Sequence, residues 1–469
     1  MPGTLQFGAG ARAIPAGCSG NGMPLTPISA TSPWANWRVW TALAALPMFA
    51  QCFQYMVDVP PLYFLSKVWP FLMLPLFLWG FTRLHMPFKI LQTITLVWVI
   101  GVTPLVGIIQ LGNDFVAALA TTIKVWPFTF SFALAGMLVL LQLPTDSLRR
   151  VILTLGAVTY AIMLALWLIV PASVYGGGDA ATKLFMYDPE RGYHLYIPMF
   201  FGMLLVFYLN RSFWIQPRIW KLLAIVACFT LQFMIYKERA AIGGGAVAVI
   251  VGGTLSAGRW RPLALAILAL GGGIAALYAI SWFQSTADVR SLGGSLAVRQ
   301  VSVATAWTYV TADPWRWLVG VGATTRYGNV TLAQLFGNRM FFLSDIGWLG
   351  VLFEYGAIGV SLVFLVHLAA LRMASRCSRR DDALSQAFVD YVVYLIIVSS
   401  VYSVVFIPGE LMVIMALSYY LAYASRAAPT YGSVVAQPRR PMPRQIELAS
   451  PRPLGRVSLR APSGSASNG

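Results

Sequence analysis

A chain of 469 residues in which 58% are hydrophobic, only 10% are charged and the mean hydropathy is +0.70 excludes a soluble domain with an ordinary surface. The formal charge of +17 falls in short clusters between apolar runs rather than on one continuous face, which argues against a nucleic-acid partner and for topology determinants and phospholipid contacts. The composition is that of an all-α integral membrane protein.

Residues 1–33, rich in Gly, Pro and Ser, read as a disordered cytoplasmic tail. Ile14-Pro15-Ala16-Gly17-Cys18 has the look of a lipoprotein cleavage box, but no apolar core precedes it. A spanning helix needs roughly 20 apolar residues. Such windows recur at Trp37–Met56, Leu62–Phe81, Ile90–Leu111, Phe115–Leu143, Val151–Val170, Tyr193–Leu209, Leu222–Tyr236, Ala240–Leu255 and Leu263–Phe283. The fourth is too long for one span and reads as a lip followed by a span starting near Trp126. A long polar excursion follows, and three more windows, Gly347–His367, Phe388–Phe406 and Leu411–Tyr423, close the apolar part. About twelve transmembrane helices leave both termini on one side. The predicted organisation is nine helices within 34–283, a large periplasmic loop domain at 284–344, three helices within 345–425, and a disordered basic cytoplasmic tail at 426–469.

Clusters such as Arg149/Arg150, Arg211/Arg218/Lys221, Arg259/Arg261 and Arg372/Arg376/Arg379/Arg380 occupy alternate connections, which marks them as cytoplasmic. Three outward segments break that bias. They are Tyr175–Tyr193 with Lys183 and Arg191, the turn Tyr236-Lys237-Glu238-Arg239, and the excursion with Arg290, Arg299, Arg316, Arg326 and Arg339. Some of these cations can snorkel or pair with Asp188, Glu238 or Asp313. Their accumulation on the translocated side points to an anionic ligand at the outer interface.

The four cysteines lack CxxC spacing, and His85, His194 and His367 lie on different loops, so neither a metal site nor a cofactor is expected. Lys67 and Lys124 are the ionisable residues nearest the apolar interior. Snorkelling to the outer surface is the preferred reading for both over an ion pathway. Ser344-Asp345 precedes an apolar run and suits an N-cap for the next span. It equally suits a general base at the junction of loop and membrane, and the two roles are compatible.

Arg239 opens a span rich in small residues; Arg299 is followed by Trp307 and by Pro314 ahead of Gly320-Val321-Gly322; Ser344-Asp345 then leads through Gly356 and Gly359 into the next span. This order resembles the O-antigen polymerase and O-antigen ligase superfamily over roughly Tyr236 to Val366. The resemblance implies a metal-independent membrane glycosyltransferase with a GT-C-like fold in the bacterial inner membrane. Its donor and acceptor would be undecaprenyl-diphosphate-linked oligosaccharides, with membrane lipids and a chain-length regulator as further partners. Arg239 and Arg299 match the family's diphosphate-holding arginines, with Lys237, Arg191 and Arg290 as further substrate-binding candidates and Asp345 as the catalytic one. Ligases usually carry a histidine where this chain has Asp345, so the pattern favours a polymerase of surface-polysaccharide repeats over a ligase acting on lipid A–core. A transporter or flippase of lipid-linked saccharides is the rival from another class.

Overall fold

The computed structural model describes residues 36–54, 56–176, 184–188, 191–263, 265–267, 270–272, 294–323, 332–337, 341, 343–402 and 407–427. The chain divides into two units, Met1–Tyr423, which holds the helical bundle, and Ala424–Gly469, of which residues 424–427 are helical. From the amino end come α1 (Trp37–Phe49), α2 (Pro60–Leu72), α3 (Leu74–Arg83) and α4 (Lys89–Leu96), then a π-helical stretch (Val97–Val102) that runs into α5 (Thr103–Leu111). They are followed by α6 (Phe115–Thr121), α7 (Phe130–Leu141) and α8 (Thr145–Ile169). A small antiparallel hairpin, β1 (Phe185–Asp188) and β2 (Gly192–Leu195), precedes α9 (Phe200–Ile215) and α10 (Ile219–Leu231). A π turn (Gln232–Tyr236) links α10 to α11 (Arg239–Ser256). Within the excursion lie α12 (Gly294–Thr311), α13 (Pro314–Val319) and α14 (Leu332–Phe336), and the chain closes with α15 (Trp348–Cys377), α16 (Ala383–Val398) and α17 (Gly409–Ala427).

Helix boundaries follow ordinary capping chemistry. Prolines at the start of α2 fall where the amide has no partner to lose. Asp114 accepts from Ala117 N at 2.6 Å to start α6, and Asp382 accepts from Leu384 N and Ser385 N to start α16. Among the described residues, six helical runs are long and apolar enough to cross a membrane, including Pro60–Arg83, Lys89–Leu111, Ile219–Tyr236 and Arg239–Ser256. A further candidate is a bent pair, Phe115–Lys124 and Trp126–Leu141, inclined at 53°. That break sits where the over-long window predicted a lip, and Pro127 supplies the reason because it cannot donate into a continuous ladder. The protein is thus a multi-pass, all-α membrane protein.

The shorter helices α9 and α16 are apolar on nearly every side and sit inside the bundle, packed on each other and on α11. Helices around them expose Ile90, Ile109 and Ile169, each more than three-quarters accessible and suited to lipid. One sequence boundary needs correction. The window Tyr193–Leu209 does not form one span, because Tyr193–Leu195 belongs to the hairpin and the helix begins at Phe200.

Contacts sort the helix termini into two ends of the bundle. At one, Gly409 N donates to Gln51 Oε1 at 2.7 Å beyond α1, Gly244 near the start of α11 meets Val398 at the end of α16, and Gly347 before α15 meets Ser400. This is the Arg239 end. At the other, Arg149 pairs with Asp382 at 2.9 Å and Tyr420 donates to Leu143 O. There Arg211 of α9, 4% exposed, binds Asp390 of α16, 0% exposed, through two nitrogens at 2.7 and 2.5 Å while its third donates to Ser256 of α11 at 2.7 Å. This fork-on-carboxylate geometry is what a buried guanidinium requires. It also explains Gly252, where a Cβ would lie 2.6 Å from Asp390 Oδ2.

α15 is kinked at Gly356, whose φ of 68° and ψ of −178° lie outside helical space. Three carbonyls just ahead of the kink accept from outside the helix. Val321 N donates to Phe353 O at 2.8 Å, Gly322 N to Glu354 O at 3.2 Å, and Trp98 Nε1 to Tyr355 O at 3.0 Å. Gly320, with φ of 86° and ψ of −178°, presses so closely on Gly356 that a Cβ on either would strike the other's backbone neighbourhood. Both glycines occupy a region of backbone space essentially closed to other residues. Gly356→Ala and Gly320→Ala should each cost about 3 kcal/mol in thermal unfolding of the purified protein. Gly243→Ala, with open space around it, should stay within about 0.5 kcal/mol of the parent or exceed it.

Candidate functional site

The turn that carries Arg239 is built by a local conflict between winding and direction. The π turn ends at Lys237, which adopts a left-handed conformation with φ of 57° and reverses the chain into α11. The hairpin docks on this corner. Lys237 Nζ donates to Arg191 O at 2.7 Å, and Arg191 Nη1 donates to Glu238 Oε1 at 2.9 Å, with Asp188 Oδ2 at 3.8 Å from Arg191 Nε. Arg191 and Lys237 are therefore engaged in holding the corner together. Arg239 differs. It is exposed at the first position of α11 and makes no hydrogen bond or ion pair among the described residues.

Asp345 lies in a short 3-10 turn, Leu343–Ile346, against which α12 packs. Its Oδ1 accepts from the Ser344 hydroxyl at 3.2 Å, and it is half-buried. It does not cap the following span. The N-cap of α15 is Gly347, with φ of 55° and no side-chain bond, because its α-carbon lies against the backbone of Ser399 and Ser400 where a Cβ has no room. With the cap excluded, the carboxylate keeps acceptor capacity. Arg299 stands half-buried in the second turn of α12 and, like Arg239, has no ion pair or hydrogen bond among the described residues. Arg316 is held, over the Tyr309 ring at 4.4 Å, with Gln110 Oε1 at 3.4 Å and Asp313 at 3.7 Å. Arg290 lies outside the described residues.

The turn bearing Asp345 meets the end of α16 at Ser400, and the same end of α16 meets α11 at Gly244, one turn and a half beyond Arg239. Asp345 and Arg239 accordingly share one end of the bundle, bridged by the end of α16. Arg239 and Arg299 lie on helices with no extensive mutual packing. Any ligand that used both would have to span between them.

A further charged pair escaped the sequence reading. Glu354, 0% exposed, accepts both 2.6 and 2.7 Å hydrogen bonds from Lys124 Nζ, whose side chain is 26% exposed. Lys124 sits at the break of the bent pair and Glu354 two residues before the kink of α15, so each ion is delivered by an interrupted helix. Lys124 therefore turns inward to a carboxylate rather than snorkelling outward. A signal was present. Glu354 is the lone acidic or basic residue between Asp345 and Arg372, and Lys124 the lone basic one between Lys89 and Arg149. Isolated opposite charges in two spans are expected to find each other. Glu410, at the start of α17, accepts from Tyr391 OH at 2.8 Å and lines a small cavity of about 70 Å³ with Gln51, Cys52 and Tyr236 at the Arg239 end.

No group of three or more His, Cys, Asp or Glu among the described residues has the arrangement to hold a metal ion. No protein-family model and no curated protein matches the chain. Among solved structures it is similar to a chain from work described as "Structural coordination of polymerization and crosslinking by a peptidoglycan synthase complex", at 16% identity and a TM-score of 0.39, over 74% of this chain and 99% of that one. At that TM-score the likeness carries no argument about chemistry, and the family resemblance rests on its motif residues alone.

Because Glu354 is fully buried, removing its partner strands a charge in an apolar setting. Lys124→Ala should lower stability by about 3 kcal/mol in thermal unfolding, and the double variant Lys124→Met with Glu354→Gln should regain most of the loss.

Proposed function

We propose that this protein is a membrane glycosyltransferase that joins undecaprenyl-diphosphate-linked oligosaccharide repeat units into a surface polysaccharide on the periplasmic face of the bacterial inner membrane. What supports this reading most is Arg239, an exposed guanidinium without a partner among the described residues, at the bundle end that also bears Asp345. Its neighbours in the same corner, Arg191 and Lys237, are consumed by structural bonds, which leaves Arg239 as the cation free to meet a ligand there.

On this reading Arg239 and Arg299 take the diphosphate from two sides, and both termini face the cytoplasm. Guanidinium groups match phosphate oxygens bidentately. Fixed in a partly desolvated site, they stabilise the charge that develops on the departing lipid diphosphate. Asp345 accepts the proton of the acceptor hydroxyl as that oxygen attacks the anomeric carbon. The bond from the anomeric carbon to the diphosphate breaks, the new glycosidic bond forms with inversion, and the lipid leaves as its diphosphate. The Lys124–Glu354 pair lies within the fold beneath this end and plays no part in these steps.

One observation favours the transporter reading instead. Interrupted helices that each deliver a buried ion, as at Lys124 and Glu354, are a recurring feature of substrate pathways in transporters. The two readings part in a deletion strain. Loss of chain length with single repeats retained on the surface supports the polymerase, long chains left on the carrier and absent from lipid A support a ligase, and repeats accumulating on the inner side support the transporter. Arg239→Ala and Arg299→Ala should each abolish long polymer at unchanged protein level, and Asp345→Asn should lower polymer formation about 100-fold. Arg379→Ala should leave polymer intact. Normal chain length from both outward arginine variants would remove the proposed site.

A further inference from the structure

At the opposite end of the bundle, the closing turns of α9, α11 and α15 and the start of α16 surround a cavity of about 890 Å³. Its floor is electrically settled, because Arg211 is spent on Asp390 and Ser256. Its rim is not. Arg259, Arg261 and Arg380 all line it, all are exposed, and none makes an ion pair or side-chain hydrogen bond among the described residues. Asp381 is the one carboxylate among the lining residues. Three cations against one anion leave the rim with a surplus of two positive charges.

The cations are also positioned. Gln386 Nε2 donates to the carbonyls of Arg379 and Arg380 at 2.9 Å each, which pins the loop that carries Arg380. The Arg259 guanidinium lies over the Trp260 ring at 5.3 Å. A rim of fixed guanidinium groups is suited to a phosphate, which offers each of them a planar pair of oxygens. The remaining wall decides which phosphate. Trp214, nearly half exposed, and Leu255 belong to it, and the cavity opens where the spanning helices α11 and α15 run out. That is the level of lipid headgroups, where tryptophan is at home. A soluble phosphate compound has no use for an apolar flank, whereas a phospholipid presents its phosphate and its chains together.

We infer that this cavity is a binding site for an anionic phospholipid, with Arg259, Arg261 and Arg380 on the phosphate and Trp214 against the acyl boundary. The inference is independent of the glycosyltransferase reading, since it concerns the other end of the bundle and holds whatever the protein transfers or transports. The occupant would brace α9, α11 and α16 where Arg211 already ties them, so it should stabilise the folded protein by mass action.

The test uses the full chain in phosphatidylcholine vesicles with and without phosphatidylglycerol. Retained lipid is read by native mass spectrometry after extraction, and Tm is read in each membrane. The parent protein should retain phosphatidylglycerol selectively and melt at higher temperature in its presence. At about 1 kcal/mol per basic residue near the surface, each of Arg259→Ala, Arg261→Ala and Arg380→Ala should weaken retention ~5-fold and the triple variant ~100-fold. Arg150→Ala, an exposed arginine off the cavity, should change nothing. The same Tm for the triple variant and the parent in phosphatidylcholine alone would show the fold intact. Equal retention of both lipids by the parent, or undiminished phosphatidylglycerol retention by the triple variant, overturns the site. Protection by glycerol phosphate in free solution equal to that by phosphatidylglycerol would overturn the lipid assignment in favour of a soluble phosphate.

Discussion

Two main-chain hydrogen bonds, from Val321 to the carbonyl of Phe353 and from Gly322 to that of Glu354, hold the rest of the architecture in place. In an apolar surrounding every freed carbonyl needs a donor, and a helix is kinked only if something else supplies it. Here the segment after α13 supplies two and the Trp98 indole a third. The break in α15 is thereby satisfied, and the excursion is stitched to the spans. Glycine is required on both sides because the two backbones approach closer than any Cβ permits. The interruption also turns Glu354 to Lys124, so the buried ion pair depends on the same contact.

Charge is organised differently at the two ends of the bundle. The Arg211 end combines deeply buried pairing, as in Arg211–Asp390, with exposed guanidinium groups around an open cavity. At the Arg239 end most charges are committed to one another, as in the knot of Arg191, Lys237 and Glu238, and a few are not. This contrast separates cations that hold structure from those available to a ligand. Proximity to the outer loops alone did not separate them. Carrying an arginine to a membrane surface costs free energy, and pairing explains that cost for Arg191 and Arg316 but not for Arg239.

The helical membrane fold was legible from hydropathy because apolar length is a local property. So was the corner at Tyr236 to Arg239, where charges interrupt two apolar runs, and the break near Trp126, where a run exceeds one span and Pro127 follows. The hairpin was missed because Phe185–Leu195 mixes apolar and polar residues without a run long enough to register, and its stability comes from docking on the Lys237 corner. Glu354 was missed for a related reason. Its meaning lies in a residue 230 positions away, which no window along the chain connects. Asp345 was read both as a cap and as a base, and the crowding of Gly347 against Ser399 and Ser400 rules out the first. Arg239 and Asp345 were placed correctly in sequence order, but their common end of the bundle emerges only from the way α16 touches both neighbours.

The π turn at Gln232–Tyr236 deserves a last consequence. Such a turn accommodates one residue more than regular winding does, and Gln232 anchors it by donating to Tyr160 OH on α8. A one-residue deletion within it would restore regular winding and rotate everything beyond by about 100°. The corner would then leave the hairpin, and Arg239 would face a different azimuth with its own codon untouched. Sequence length in these five residues, more than their identity, sets the compass bearing of the free guanidinium.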